Sequence, residues 1–421
     1  MINSRKKGFT LVELVIVIAV IAVLAAVLIP TFSSLVKKAN IASDTAVARN
    51  LNTAAISADA KTFDDALTAV RDAGYLVANL NAKAEDCYFV WEDDSDQFLL
   101  YDLKEQKIIY SNSAVSESPD DSWCFAVSNA SVANEVKTAL PNITIKNTAT
   151  SISDVESLIT AGGEVTIYVD ESIIMDESNV IVVDNPTASV TIDLGNNSVA
   201  GNNSGTPTEN NIPFFVEQGE LTIKGGVIKS TGNWYDSDNE LVSSAIKADK
   251  GTLNVDSTEF NCPGGQILIA YAGANGTVSN SKINTKSSAI NVGGDSDVVV
   301  ENCEINVENE AIWVSNSGCT KTKVTVKGGK YNGIGNTIAM YGGTLVIEDG
   351  EFTAKQANLF RFYYTGSSIT IKGGTFTANG VTYKFNDLTD SIIKGMFSTG
   401  SMNYAGITVT KNADGSITVA N

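Results

Sequence analysis

The chain has no histidine among its 421 residues. That removes the commonest general base and a favoured metal ligand. Cysteine is scarce: Cys87, Cys124, Cys262, Cys303 and Cys319 are the full set. Five are too few for a disulfide scaffold, and an odd count leaves at least one thiol unpaired in a monomer. Two readings stay open, a bond between Cys87 and Cys124 or buried thiols throughout. Arginine numbers four, of which only Arg361 lies in the C-terminal two-thirds. Positive charge is outnumbered, with 29 Lys and Arg against 48 Asp and Glu, a formal charge of −19. Such a surface repels nucleic acid and anionic lipid at long range, and no basic patch offsets it, so nucleic acid is not an expected partner.

What the sequence does have begins at its start. Arg5-Lys6-Lys7 ends at Gly8, and from Phe9 to Ile29 Glu13 is the one charged residue in 21. At 1.5 Å per residue that stretch makes roughly 31 Å of helix, enough to cross a bilayer's hydrocarbon core. An unpaired glutamate there costs about 2.5–3.5 kcal/mol, so Glu13 calls for a partner. An ordinary secretory signal has a shorter apolar core and a small-residue cleavage site, which Ile29-Pro30-Thr31-Phe32 is not. A plain anchor helix fits the length but leaves Glu13 unexplained.

Gly8, the aromatic Phe9 and Glu13 within Thr-Leu-Val-Glu-Leu together resemble the leader of type IV prepilins and type II secretion pseudopilins. The resemblance covers about the first 60 residues and implies several things. A prepilin peptidase/methyltransferase would cut after Gly8, and the new amino terminus, Phe9, would be methylated. Glu13 would meet the amino terminus of a neighbouring subunit during assembly. The precursor would sit in the cytoplasmic membrane through a single helix, with its C-terminus outside, and then join a cell-surface filament. Pro30 falls where that family often has a helix-kinking proline.

Beyond Pro30, apolar residues at Phe32, Leu35, Val36, Ala39, Ala42, Ala46, Ala48 and Leu51 keep a helical spacing. A helix over 9–58 follows from them. Thr62 is a candidate N-cap for a second helix that Gly74 ends. Strands are expected at Cys87–Trp91, Gln97–Tyr101 and Lys107–Ser111. A long helix on a small antiparallel meander is the architecture of a pilin head, here 59–112. The acidic turn at 92–96 lacks the glycine and terminal glutamate of a formal calcium loop and reads as a charged hairpin turn. Residues 113–150 read as a linker.

The rest repeats. Val199, Ile228, Phe260, Ile283, Ile305, Tyr331, Phe352 and Phe376 head one column. Five residues earlier stand Leu194, Ile223, Val255, Val278, Val300, Val326, Ile347 and Ile371. Seven earlier, Gly276 is the one exception in an aliphatic column that starts at Ile192. Three earlier stand Asn196, Gly225, Ser257, Asn280, Asn302, Gly328, Asp349 and Gly373, residue types that tolerate positive φ at a bend. Two aliphatic columns two residues apart share a strand face, and stacked coils bring like side chains together about every 4.8 Å. The pattern resembles the right-handed parallel β-helix of pectin-lyase-like proteins. It is expected over 151–405, with a capping helix at 154–161 and a hairpin cap at 406–421. The fold class is therefore an α+β pilin-like part followed by an all-β solenoid.

Chemistry is sparse. Glycoside hydrolysis needs two carboxylates about 5–9 Å apart, and Asp249, Asp256, Asp295, Asp297, Glu301, Glu304 and Glu308 offer no pair that its position singles out. Enzyme function, cofactors and metals are not expected. If Ile312 and Val314 point inward, Trp313 points out, and so does Arg361 two coils on, with Tyr341, Tyr363 and Tyr364 near. Aromatic residues beside a cation suit a polysaccharide or a protein partner. The reading is a filament subunit displaying an adhesive rod. The alternatives are a singly anchored adhesin and a polysaccharide-active enzyme.

Overall fold

The computed structural model describes residues 11–75, 80–115, 119–127, 130–149, 155–156, 159, 163–169, 172–175, 181–201, 214–230, 244–262, 266–270, 273–314, 321–355, 358–398 and 406–421. The chain divides into two compact units, 1–126 with 134–145, and 127–133 with 146–421.

In the first unit, helix α1 runs Leu11–Ser57 with Pro30 inside it. Its two halves differ. Seventeen large apolar side chains between Leu11 and Val36 are exposed. In the second half Asp44, Ala48, Leu51, Asn52 and Ala55 are buried, a stripe at helical spacing. The expected Ala42 and Ala46 are exposed, and the buried face is held by polar clasps at Asp44 and Asn52 as well as by Ala48, Leu51 and Ala55. Asp44 accepts from the backbone N–H of Lys83 at 3.0 Å and of Ala84 at 2.8 Å. Asn52 pairs with the backbone of Phe98, donating at 2.8 Å and accepting at 2.6 Å. Helix α2, Phe63–Asp72, is capped by Thr62 Oγ1, which accepts from Asp65 N–H at 3.2 Å, and Gly74 follows at φ +86°.

The head sheet is antiparallel, built from β1 Cys87–Glu92, β2 Gln97–Asp102, β3 Lys107–Tyr110 and β4 Trp123–Val127 in the order β3-β2-β1-β4. The segment expected as a linker therefore supplies a strand, and helix α3, Ala130–Ala139, follows it. Trp91 meets Phe98 edge-on at 5.1 Å and Tyr101 meets Trp123 at 5.3 Å, filling the core.

This sheet also corrects the disulfide. Cys124 lies opposite Trp91, four residues along β1 from Cys87. At about 3.3 Å per residue that separates the two by about 13 Å, twice the reach of a disulfide. Both are buried thiols; Cys124 Sγ donates to Asp93 at 3.8 Å, and burial pushes the Cys87 thiol up to about 11. Cys319 lies outside the described residues.

The second unit is a parallel β-solenoid of about eight turns. Each turn contributes to three parallel sheets. The first contains Thr252–Asp256, Asn275–Ser279, Asp297–Glu301, 323–327, 343–347 and Ser367–Ile371. The second contains Glu259–Asn261, Lys282–Thr285, Glu304–Val307, 330–333, 351–354 and Thr375–Ala378. The third contains Gln266–Ala270, Ile290–Val292, Ile312–Val314, Ile338–Met340 and Phe360–Phe362. Strand pairing begins before the expected 151, since Thr144–Ala149 pairs with 167–169.

The aliphatic columns face inward and are buried from Ile223 to Ile371 and from Val199 to Phe376. Gly276 breaks its column because a Cβ there would lie 2.1 Å from the Leu253 carbonyl oxygen. Tyr331, Phe352 and Phe376 stack inside at 4.8 and 5.5 Å. The bend column holds φ between 50° and 81° at Gly225, Ser257, Asn280, Asn302 and Gly328. In the first turn it falls at Gly195, and in the last two at Gly350 and Gly374. That first turn is also shifted: Ile192, not Leu194, pairs with Ile223, although Val199 still pairs with Ile228.

Each sheet ends under its own cover. The hairpin Thr408–Lys411 and Ile417–Ala420 closes the first sheet antiparallel to 368–371. Strand Val381–Lys384 closes the second. Helix α4, Asp390–Gly395, leads into Phe397, which packs at 5.1 Å on Phe360 and 4.8 Å on Phe362 of the third. The cap therefore starts at 381, earlier than the expected 406, since three edges need covering. The helix expected at 154–161 lies largely outside the described residues, though Val155 and Ile159 are buried in the solenoid core.

Candidate functional sites

Among the described residues two places carry the expected chemistry, and the first is the exposed half of α1. Glu13 sits in its first helical turn, where the helix dipole favours a negative charge. Fully burying an aliphatic side chain is worth about 1.5–3 kcal/mol. Seventeen partly exposed ones leave on the order of 10–30 kcal/mol to be gained from lipid or other helices. This helix is long and apolar enough to cross a membrane. Gly8 and Phe9 lie outside the described residues.

The second place is on the third solenoid sheet. Trp313, Ala339 and Arg361 are in direct register across three strands whose flanking residues point inward. Ala339 leaves room between its larger neighbours. Trp313 stacks on Tyr341 at 5.6 Å and 24°, and Tyr341 on Tyr363 at 4.0 Å and 11°. The Arg361 guanidinium covers Tyr363 at 4.1 Å, and Tyr364 leans on Tyr341 at 5.5 Å. All five residues expected in a patch are therefore brought together. Their exposure differs from the expectation, because the rings use their faces on one another. Trp313, Tyr341, Arg361 and Tyr363 are half-buried, and Tyr364 is 38% exposed. Ring edges and hydroxyl groups are what this surface offers.

Glu310 belongs to the same place and was not singled out by its sequence. Its carboxylate accepts from Ser288 Oγ at 2.9 Å. Burial pushes its carboxyl up from the usual range, and Arg361 pulls against that. Burial, with the neighbouring Tyr363, pushes the Tyr341 hydroxyl up to about 12. The Trp313 indole N–H is buried and has no hydrogen-bond partner among the described residues.

The acidic turn after β1 is occupied by its own donors. Glu92 accepts from the backbone of Asp94 and Ser95, from Ser95 Oγ and from Ser122 Oγ. Asp93 accepts from the Trp91 indole at 2.6 Å, and Asp96 pairs with Lys61 at 3.1 Å. These bonds fix a hairpin turn.

The described residues thus combine an apolar helix with a charged residue in its first turn, a small antiparallel head and a parallel β-solenoid. Residues 3–29 match the family model described as the prokaryotic N-terminal methylation motif. The N-terminal part is similar to the type IV wide pilus major component PilA4 of Thermus thermophilus, 60% identical over 48 residues. That match takes in 11% of this chain and 34% of the pilus protein, so the chain spans about a third of its relative's length. No solved structure matches the chain.

Proposed function

We propose that the chain is a pilin-like subunit that prepilin peptidase cuts between Gly8 and Phe9. The methylated Phe9 amine then offsets Glu13 of a neighbouring subunit. The C-terminal part lies outside the cell, and the solenoid is a rod for adhesion or ligand binding, with the Trp313–Tyr341–Tyr363 surface as its contact. The observation that carries this reading is the motif Gly8-Phe9-Thr10-Leu11-Val12-Glu13 leading into a helix half that exposes seventeen large apolar side chains. The bulk of the solenoid favours a minor or tip subunit, because every close-packed copy would have to accommodate it. We read the solenoid as binding rather than catalytic: its ladder of carboxylates is used in coil-to-coil pairs, such as Lys323–Asp297 and Lys330–Glu351.

Mass spectrometry of the purified protein tests the processing step. A chain beginning at N-methylated Phe9 is expected, and an intact Met1 or a cut beyond Ile29 overturns it. Glu13→Ala separates the filament from a singly anchored adhesin. A filament subunit loses assembly and keeps membrane insertion, whereas an adhesin shows the same surface amount with either residue.

A further inference from the structure

Among the described residues the head buries two carboxamide side chains, Asn52 and Gln97, and uses them differently. Asn52 spends both ends on one residue, donating to the Phe98 carbonyl and accepting from its N–H. Gln97, 3% exposed at the start of β2, meets more. Its Oε1 accepts from the backbone N–H of Asn112 at 2.7 Å and of Ser113 at 2.9 Å. Its Nε2 donates to Ser95 Oγ at 2.6 Å and to Ser113 Oγ at 2.7 Å. Ser95 Oγ in turn donates to the carboxylate of Glu92, which is 2% exposed. Asp96, between Ser95 and Gln97, takes a left-handed φ of +51° and closes the turn between them. A backbone clasp needs only the two N–H donors. What Gln97 has beyond them is the set that an acyl transfer uses: a carbonyl polarised by two N–H groups, a hydroxyl against the amide nitrogen, and a carboxylate to take that hydroxyl's proton.

We infer that Ser95 and Gln97 form an intramolecular ester, with Glu92 as proton carrier and ammonia as leaving group. Ser95 turns about χ1 out of the amide plane, gives its proton to Glu92, and bonds through Oγ to Gln97 Cδ. Negative charge collects on Oε1, where the N–H groups of Asn112 and Ser113 already point. Glu92 passes the proton to Nε2, the C–N bond breaks, and ammonia departs. One C–O bond replaces one C–N bond, nothing is oxidised, and Glu92 ends ionised as it began. Donors from Asp94, Ser95 and Ser122 hold the carboxylate in place beside the hydroxyl. Burial of Glu92 and Gln97 keeps bulk water from competing for the acyl carbon. The ester turns one of the head's single contacts into a covalent one, tying the start of β2 to the turn before it. It is independent of what the solenoid binds.

Mass spectrometry of the full chain in detergent, intact and as peptides, tests the ester. A protein lighter by one ammonia is expected, with the loss in the peptide that carries Ser95 and Gln97, and hydroxylamine should open the bond. Ser95→Ala should keep that peptide at its full mass. Glu92→Gln should slow ester formation on the order of 10²-fold or more. Ser113→Ala, which keeps both backbone N–H groups, should still lose ammonia. Hydrogen exchange of the head shows that each variant is folded, and Ser95→Ala removes only a half-buried hydroxyl from a turn. Full mass of this peptide in the wild type overturns the ester, and so does ammonia loss from it in Ser95→Ala. Gln97 found as glutamate in fresh protein means that water took the acyl carbon, and overturns it equally.

Discussion

The head and the solenoid fix their strands by opposite means. In the head, single buried polar side chains clasp the backbone: Asp44 on Lys83 and Ala84, Asn52 on Phe98, Gln97 on Asn112 and Ser113. Each clasp is made once. In the solenoid the same contacts recur from turn to turn: inward aliphatic columns along its length, an aromatic stack of Tyr331, Phe352 and Phe376, and an outward asparagine ladder. Asn284, Asn306 and Asn332 each donate to the asparagine one coil before, at 3.0–3.1 Å. A small unit held by unique contacts should fail as a whole when one is removed. A repeating unit passes its stability between neighbours and should fail locally.

The largest effect tests the local side. Phe352 lies between Tyr331 and Phe376 in the buried stack, and Phe352→Ala should cost about 3–5 kcal/mol. Hydrogen exchange should then quicken in 330–333, 351–354 and Thr375–Ala378 while the head keeps its protection. Equal loss in both units would end the comparison. The head's counterpart is Asp44→Ala, which strands the N–H of buried Ala84 at about 1–3 kcal/mol and frees that of exposed Lys83 to water. Loss of protection across β1, β2 and α2 together is expected, with the solenoid unchanged.

The same contrast explains what could be read from the sequence. Repetition made the solenoid legible, because eight aligned columns average out local accidents. It also produced the error in the first turn. Val190, Ile192 and Leu194 are all aliphatic, so a shift by two keeps every side chain on its face. The unique contacts left no such pattern. Asp44 and Asn52 lie outside the apolar spacing of the helix, and Trp123–Val127 fell within the expected linker because its partner strand lies about 30 residues back. The helix, the Thr62 cap and the ladder follow from local chemistry. Trp313, Tyr341, Arg361, Tyr363 and Tyr364 could be grouped from strand alternation. That the rings would spend their faces on one another depends on the 4.8 Å spacing of coils meeting side chains of this size. Glu310 had no signal, being one of six acids between 295 and 310.

A smaller effect sharpens the distributed side. Asn306 is a middle rung of the ladder, bonded to Asn284 and Asn332. Its face is half-exposed, so water replaces part of what is lost. Asn306→Ala should cost about 0.5–1.5 kcal/mol, and Asn306→Ala with Asn284→Ala less than the sum, since they share a bond. Thermal unfolding of the two single variants and the double checks this.

The smallest effect is one of pH, and two solenoid carboxyls give it opposite signs. Burial pushes Asp256 up, but hydrogen bonds from Ser279, Asn280 and Ser257, with Lys224 nearby, hold it below its usual value. A depressed folded value means that Asp256 stabilises above its unfolded value near 3.9, and that this is lost as pH falls through the folded one. Glu310 is raised by burial, so the folded protein binds its proton more tightly than the unfolded chain does. Its contribution is present below about pH 4.3, the unfolded value, and is lost as pH rises through the folded one. Asp256→Asn should therefore lower the melting temperature by about 1–3 °C at pH 7, with the difference shrinking in strong acid. Glu310→Gln should be neutral or slightly stabilising at pH 7 and lose that advantage by pH 4. Melting curves at pH 3, 4, 5 and 7 separate the two. Opposite shifts at pH 7 show that repetition alone does not set the character of a solenoid position; if both variants shift in the same direction, the neighbours of each carboxyl do not set it either.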